Sequence, residues 1–274
     1  MRIDAHQHFW HYRDSMTWIT PAMSAIAKDF LPADLAPLLA GKLIGGCVAV
    51  QAEQTTYETD FLLELAKNNL FIKGVVGWTD LRAPNITEQL NAYAENPTLK
   101  GFRHVLQSEA PEFMLHPDFL RGMGALQSFG FTYDILVFPE HLQTVLALVK
   151  KFPGQPFVLD HIAKPNIQEA EIDEWKKNIR AIAQCENVYC KISGMVTEAD
   201  WQKWKQEDFI PYLDSIIEFF GTARIMYGSD WPVCLVAASY DDVIGIAEKY
   251  FCSFSENEQK AVFGENAKKF YHLS

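Results

Sequence analysis

The chain alternates between short apolar runs, rich in β-branched residues, and longer segments whose apolar positions recur with helical spacing. Eight of the short runs predict β-strands, at residues 2–7, 44–51, 72–78, 99–104, 131–137, 157–161, 188–193 and 225–230. The segments between them predict helices at residues 56–68, 86–96, 117–129, 139–152, 169–184 and 208–220. Two more helices are predicted after the last strand, near residues 240–251 and 255–272.

This alternation is typical of parallel βαβ units, and eight strands fit a closed (β/α)8 barrel, also called a TIM barrel. An open, doubly wound sheet is the alternative. No low-complexity tract or flexible linker interrupts the 274 residues, so we expect one α/β domain over residues 1–274. About 40 residues separate the first predicted strand from the second, and a loop of this length often covers the mouth of a barrel.

Composition narrows the class of protein. With 49% hydrophobic and 22% charged residues and no apolar run long enough to span a bilayer, membrane, fibrous and disordered proteins are not expected. A formal net charge of −11 repels a phosphate backbone, so a small molecule is a more plausible partner than nucleic acid or a membrane. The five cysteines are scattered, and the first residues lack the apolar stretch of a signal peptide, which together predict a cytoplasmic protein. Composition does not distinguish a monomer from a homo-oligomer.

Candidate chemistry lies at the predicted strand ends, where barrel enzymes carry their active sites. His6 and His8 are two residues apart on one strand, so they point the same way and can share a metal ion or a substrate oxygen. His161 at the end of the sixth predicted strand and Asp230 at the end of the eighth complete a candidate site. The other polar residues at strand ends are Gln51, Glu53, Trp78, Thr79, Asp80, Arg103, His104, Tyr133, Asp134, Asp160, Lys191, Ser193 and Ser229.

Each of these residues also has a structural interpretation. A spaced histidine pair arises by chance in a chain with eight histidines, His161 fits a hydrogen-bonded core position, and Asp230 fits a turn cap. Neighbours on a strand face opposite sides, so only one of Arg103 and His104 is expected to point into the mouth, and the sequence does not say which. Tyr133 and Asp134 present the same choice. Asp160 is expected to point away and to orient a neighbour.

Several motifs resemble the amidohydrolase superfamily, and within it the branch of sugar-acid lactonases. The opening IDAHQHFW of residues 3–10 is similar to the first strand of that superfamily. The later matches are FVLDHIAKP at residues 157–165, YCKISGM at 189–195, YGSDWPV at 227–233 and VFGENA at 262–267. The likeness spans nearly the whole chain and implies a distorted (β/α)8 barrel that opens a cyclic ester.

The resemblance also implies roles for individual residues. His6 and His8 would bind a metal ion or the substrate carbonyl, His161 would contact the substrate, and Asp230 would activate water. The fifth strand offers Tyr133 and Asp134 where binuclear members carry a lysine or another ligand. We therefore expect at most one ion, for example Zn²⁺ held by His6, His8 and Asp230, or catalysis without metal.

The expected reaction is the hydrolysis of a lactone of the L-fuconolactone or L-rhamnonolactone type. Asp230 and His161 are the expected catalytic residues, and His6, His8, Arg103, His104 and Tyr133 are expected to bind the substrate. Trp10, with Trp18, would stack on the sugar face. Because few cations lie at the strand ends, a neutral sugar lactone is expected over a polycarboxylate. The alternatives are a metal-dependent decarboxylase of the muconate-semialdehyde type and a non-catalytic binding barrel.

Overall fold

Eight parallel strands form one sheet in the computed structural model, which describes all residues 1–274. Their order in the sheet is their order in the chain. The strands are β1 (Arg2–Gln7), β2 (Ile44–Val50), β3 (Ile72–Gly77), β4 (Leu99–His104), β5 (Thr132–Ile135), β6 (Phe157–Leu159), β7 (Val188–Ile192) and β8 (Ile225–Tyr227). The sheet closes at its C-terminal edge, where Asp230 N donates to His6 O at 2.8 Å and His8 N donates to Trp231 O at 2.7 Å. The predicted (β/α)8 barrel is confirmed, and the open sheet is excluded.

Helices cover the outside of the barrel. They are α1 (Pro32–Gly41), α2 (Thr56–Asn68), α3 (Ile86–Tyr93), α4 (Pro117–Phe129), α5 (Leu142–Lys151), α6 (Asp173–Ala183), α7 (Gln206–Phe220), α8 (Tyr240–Phe251), α9 (Glu256–Lys260) and α10 (Asn266–Tyr271). Their apolar faces pack against the outer faces of the strands to form the main core. None of these helices has the length and apolar character needed to cross a membrane.

A second apolar cluster fills the inside of the barrel below the site. It combines strand residues such as Ile3, Val48 and Met226 with Phe270 and Tyr271 from α10. The C-terminal helix reaches this position because Asn266 donates to the carbonyl oxygen of Ile225, on β8, at 2.7 Å. The end of the chain therefore closes the bottom of the barrel, and the chemistry is left to the opposite end.

Several predicted elements differ in extent from those in the structure. The long first loop contains α1, which has Pro32 at its start and Pro37 inside it, a residue that usually ends a helix. The single helix predicted near 255–272 is broken into α9 and α10 around Gly264, where a Cβ would lie 2.2 Å from the carbonyl oxygen of Met1. The last four strands also end before their predicted limits, so His161 and Asp230 lie in turns beyond β6 and β8.

Candidate active site

A bulge in β1 turns His6 and His8 into the barrel. Ile3 and Ala5 face the barrel interior, so in a regular strand His6 and His8 would face outward. The pairing of β1 with β2 shifts register between Asp4 and Gln7, and this bulge turns the two histidine side chains inward instead. The carboxylate of Asp4 stabilises this bulge by accepting from His6 N at 3.2 Å. The same Oδ1 atom accepts from Ser229 N at 2.8 Å, which ties β1 to the turn that carries Asp230.

Three imidazole groups and one carboxylate converge at the C-terminal end of the barrel. Nε2 of His6 lies 3.2 Å from Nε2 of His8. The Oδ1 atom of Asp230 lies 3.3 Å from His8 Nε2, 3.8 Å from His161 Nε2 and 3.9 Å from His6 Nε2. The structure therefore brings together the four residues that the sequence predicted as the centre of the site.

Hydrogen bonds on the far side of two rings set their orientation. His8 Nδ1 lies 2.7 Å from the carbonyl oxygen of Val50, which accepts only, so Nδ1 carries a proton and the neutral ring presents its Nε2 lone pair to the site. His161 Nδ1 lies 2.8 Å from the hydroxyl oxygen of Ser193, at the end of β7. Both rings are thereby fixed with Nε2 facing Asp230.

Burial controls the ionisation of the site. It lowers the pKa of His161 well below the usual value. Burial likewise lowers the pKa of His6, with Lys191 adding to the effect and Asp160 opposing it. Burial alone would raise the pKa of Asp230, but His161, His8 and Lys164 outweigh it and hold that pKa below its usual value. At neutral pH the site therefore contains a carboxylate beside the neutral imidazoles of His6 and His161, which suits the abstraction of a proton from water.

A layer of buried ion pairs supports His6 from below. Lys191 Nζ lies 3.0 Å from Asp160 Oδ1 and 2.5 Å from Asp134 Oδ2, and it lies 3.1 Å from His6 Nδ1. Arg103 Nη1 donates to Asp160 Oδ2 at 3.1 Å. The expectation that Asp160 points away is wrong, because β6 ends at Leu159 and the turn that follows directs Asp160 to the barrel axis. Lys191 was not predicted to have a role, although a lysine between Cys190 and Ile192 in an apolar strand is a recognisable sign of a buried charge.

Glycine at position 194 makes room for the His161 ring. Gly194 has φ of +60°, and a Cβ there would lie 2.5 Å from His161 Nδ1. His161 and Asp230 themselves have φ of 54° and 58°, which is the left-handed region that non-glycine residues rarely occupy. Such strain is common where a fold must aim a side chain into an active site.

A cavity of about 510 Å³ opens above the four converging groups. His8, His161, Asp230 and Arg103 form its base, and other residues of the strand-end loops complete its wall. The remaining lining residues are Trp18, Met23, Ala52, Glu53, Gln54, Thr55, Val105, Gln107, Ser108, Leu136, Lys164 and Val233. Three of these residues, Lys164, Gln54 and Gln107, were not predicted as site residues; they lie in the segments that follow β6, β2 and β4.

Three residues expected to bind substrate lie elsewhere. Tyr133 is fully buried and packs against Phe119 of α4, because Asp134 takes the inward position on β5. His104 faces away from Arg103, with its ring stacked 4.8 Å from Phe113. Of these two neighbouring pairs, Arg103 and Asp134 are therefore the ones that point inward.

Trp10 is also absent from the cavity wall. Its indole N–H donates to the carbonyl oxygen of Lys28 at 2.9 Å, and its ring contacts Trp18 edge to face at 5.6 Å. Trp10 therefore supports Trp18, which lines the cavity and is 37% exposed. Of the two tryptophans predicted to stack on the sugar, only Trp18 lines the cavity.

The donor atoms of the site fit one divalent cation. Single ligand atoms of His6, His161 and Asp230 lie within 4.8 Å of one another, and His8 Nε2 lies beside them. Nitrogen lone pairs together with a carboxylate oxygen form a donor set that suits zinc. Arg103 Nη1 lies 3.3 Å from His6 Nε2, so a fixed positive charge occupies the neighbouring position and disfavours a second ion.

Comparison with known proteins places the chain in a family. The family model described as Amidohydrolase matches residues 3–273. The chain belongs to the amidohydrolase family. An L-fucono-1,5-lactonase from Burkholderia multivorans is 42% identical to this amidohydrolase over 286 residues, which cover 100% of the chain and 96% of the relative. An L-fucono-1,5-lactonase from Burkholderia ambifaria is 35% identical and covers 99% of the chain and 96% of the relative.

One solved structure has the same fold and contains a bound metal ion. The crystal structure of an amidohydrolase from Burkholderia multivorans with bound Zn superposes on this amidohydrolase with a TM-score of 0.96 at 42% identity, over 100% of both chains. A related protein thus binds zinc, and this amidohydrolase has groups of residues able to hold a metal ion.

Proposed function

We propose that this amidohydrolase hydrolyses a sugar-acid lactone of the L-fuconolactone type. The observation that carries the proposal is the placement of the Asp230 carboxylate among three imidazole groups at the base of a cavity of about 510 Å³. The two L-fucono-1,5-lactonases, at 42% and 35% identity over nearly the full chain, support the same substrate class. Neither supports the decarboxylase alternative or a non-catalytic barrel.

Asp230 is the general base in this proposal. A lactone is an activated ester, so the protein has to supply a nucleophilic water, hydrogen bonds to the carbonyl oxygen and a proton for the leaving alkoxide. Asp230 takes a proton from water as the new C–O bond forms, and it returns that proton to the alkoxide when the ring C–O bond breaks. His161 orients the substrate beside Asp230, and Arg103 contributes positive charge at the cavity base.

A single divalent ion is part of the proposal. His6, His8 and Asp230 would hold it, with His161 close enough to take part. When bound, Zn²⁺ supplies Lewis-acid polarisation of the ester carbonyl. The reactivity of a lactone also permits the protein groups to act without it.

Charge pairing in the cavity favours a neutral lactone. Arg103 is paired with Asp160, and Lys164 is paired with Glu198 at 2.8 Å. Glu53 is likewise paired, with Arg13. Because every one of these cations already has a carboxylate partner, no unpaired cation awaits the second or third carboxylate of a polyacid. Polyhydroxylated, uncharged sugar lactones fit this wall of paired charges and amides.

We further propose that the enzyme acts in carbohydrate breakdown in the cytoplasm, as a monomer or a homo-oligomer. All five cysteines are free, and three of them are buried, which suits a reducing compartment. Fractionation of the native host with immunoblotting would test the location, and recovery outside the cytoplasm would contradict it.

The decisive experiment is a pH-indicator screen of the purified protein against a panel of lactones. L-Fuconolactone, L-rhamnonolactone and galactonolactone are compared with a pyrone dicarboxylate, each with added Zn²⁺ and with chelator. We expect proton release with the neutral sugar lactones, fastest with the fuconolactone. No hydrolysis of any lactone, or CO₂ release from an acid substrate instead, would show that the proposed function is wrong.

A further inference from the structure

The turn after β6 is left-handed over four consecutive residues that are not glycine. His161, Ile162, Ala163 and Lys164 have φ of 54°, 49°, 59° and 49°. All other non-glycine residues with positive φ are isolated along the chain. A left-handed turn brings each Cβ too close to the next carbonyl oxygen, so such a run is unfavourable and persists only where the surrounding structure requires it.

This turn places two side chains in the same cavity. Lys164 N donates to His161 O at 2.8 Å, which closes this four-residue turn and aligns positions 161 and 164 on one side. His161 and Lys164 both line the cavity with Asp230, whereas the intervening Ile162 and Ala163 are fully buried in the core.

The ammonium group of Lys164 has more N–H donors than its ion pair uses. Its side chain is only 16% exposed, and its one carboxylate partner is Glu198 Oε1 at 2.8 Å. Glu198 is itself held in place, because Thr197 Oγ1 donates to the same Oε1 atom at 3.2 Å and Gln168 N donates to Glu198 O at 3.0 Å. An ammonium group has three N–H donors, so the pair with Glu198 fixes Lys164 and leaves donors for a molecule in the cavity.

We propose that Lys164 is a further catalytic residue, whose ammonium group donates a hydrogen bond to the ring oxygen of the lactone. This inference rests on the proposed function. As water attacks the carbonyl carbon, the ring C–O bond breaks and its electron pair stays on the ring oxygen, where negative charge develops. Lys164 stabilises that charge and keeps its own protons, while the proton that Asp230 took from water goes to the alkoxide. A fixed donor aimed at developing charge acts mainly in the transition state.

The test compares steady-state kinetics of four variants on the best lactone from the panel. Lys164→Met keeps the length of the side chain and removes the donor, so we expect kcat to fall about 10²-fold with KM changed by less than about threefold. Lys164→Arg keeps a cationic donor and should recover at least about tenfold of that loss. Glu198→Gln breaks the same ion pair but keeps the ammonium group, so its loss in kcat should be at least about tenfold smaller than that of Lys164→Met. Lys203→Met, at an exposed lysine, is the control.

The outcomes separate the two proposals. If the wild-type protein hydrolyses no lactone, the proposed function fails and this inference fails with it. If the wild-type protein is active but Lys164→Met matches Lys203→Met, or raises KM without lowering kcat, the inference about Lys164 is wrong and the function stands. Equal losses in Lys164→Met and Glu198→Gln would also overturn it, because they would assign Lys164 to a structural ion pair. Melting temperatures show whether each variant is folded. If Lys164→Met is not folded, the kcat and KM of Lys164→Arg are compared with those of the wild type instead.

Discussion

The Asp230 carboxylate is kept ionised by its neighbours although it is buried. His161, His8 and the Lys164 ammonium group together outweigh the effect of burial and hold the pKa of Asp230 below its usual value. Burial meanwhile lowers the pKa of His161, so the ring remains a neutral hydrogen-bonding group. Small changes in these side chains should therefore alter turnover more than stability.

Asp230→Asn tests whether the Asp230 carboxylate is the general base. The amide has nearly the same size as the carboxylate but cannot accept the proton of water, so turnover of the lactone should fall by roughly 10²-fold to 10⁴-fold. Circular dichroism and the melting temperature should show an intact fold. His161→Asn should behave alike, and an unfolded His161→Asn would favour a purely structural role for that histidine. Near-parental turnover of Asp230→Asn would exclude Asp230 as the base.

Gly194→Ala tests whether the space beside His161 is required. The new Cβ would lie 2.5 Å from His161 Nδ1, so the ring has to move away from Asp230. Gly221→Ala is a matched control, because Gly221 has φ of +62°, close to the +60° of Gly194, and nothing lies within 4 Å of its Cβ position. Both variants should lose about 1–3 kcal/mol of stability through backbone strain. Only Gly194→Ala should also lose more than about tenfold in turnover, and equal turnover in the two variants would contradict this.

Glu58 gives a prediction for the pH dependence of stability. Its carboxylate accepts from Ala52 N at 2.8 Å and from Glu53 N, and it holds the loop whose residues line the cavity. Burial raises the pKa of Glu58 to about 7 from its usual value of 4.5. Between these values the folded state keeps a proton that the unfolded state has released, so this group makes the protein less stable as pH rises from 4.5 to about 7.

Glu58→Gln should remove that dependence. The free energy of unfolding, measured by urea denaturation at pH 5 and pH 7, should fall less with rising pH in Glu58→Gln than in the wild type, by at most about 3 kcal/mol. The exposed Glu112→Gln serves as the control and should follow the wild type. A wild-type pH dependence in Glu58→Gln would show that this carboxyl does not titrate in that range.

Sequence periodicity identified the site residues but not the direction of each side chain. His6 and His8 were recognised from their spacing, and the β1 bulge preserved their shared direction. Tyr133 was placed in the site because the alternation on β5 left two choices, and Asp134 takes the inward one. Lys164 was overlooked because a left-handed turn of ordinary residues follows no pattern that the sequence displays.

At the scale of elements, the well-separated helices were predictable and the ends of the chain were not. The bounds of α2, α4 and α8 agree with those expected from helical spacing, because their apolar faces pack on the barrel without interruption. α1 was missed because Pro37 lies within it. The division of the last helix into α9 and α10 depends on contact with Met1 at the other end of the chain, which local sequence does not reveal.

The C-terminal helix also contributes to the charged layer beneath the site. Tyr271 OH, from α10, donates to the Asp134 carboxylate at 2.8 Å, and Asp134 in turn pairs with Lys191. Tyr271→Phe should cost about 1–3 kcal/mol of unfolding free energy, because a buried carboxylate loses a hydrogen bond. Tyr93→Phe removes a hydroxyl that donates to the exposed Asp60 and should cost clearly less. Chemical denaturation measures both, and equal losses would contradict a special role for the buried pair.

At the scale of the whole molecule, charge is distributed unevenly. The chain carries a formal net charge of −11, yet each cation of the cavity wall and of the barrel interior is paired with a carboxylate. In the layer beneath the site Asp134 and Asp160 balance Lys191 and Arg103, so the Asp230 carboxylate above it has no balancing positive charge among these groups when the imidazoles are neutral. This arrangement is suited to one added cation and a neutral substrate.

The charges at the site limit how many metal ions each chain can bind. One divalent ion converts the single negative charge of Asp230 into a single positive charge, whereas a second ion would add two more positive charges among buried groups, where charge is costly. Arg103, 3.3 Å from His6 Nε2, already occupies the place beside the first ion. Elemental analysis of protein purified without chelator should therefore find at most one equivalent per chain. His8→Asn should lower any zinc content, while His116→Asn, at an exposed histidine, should leave it unchanged. Two tightly bound equivalents, both needed for activity, would show that Asp134 and its neighbours form a second metal site rather than an ion-pair layer.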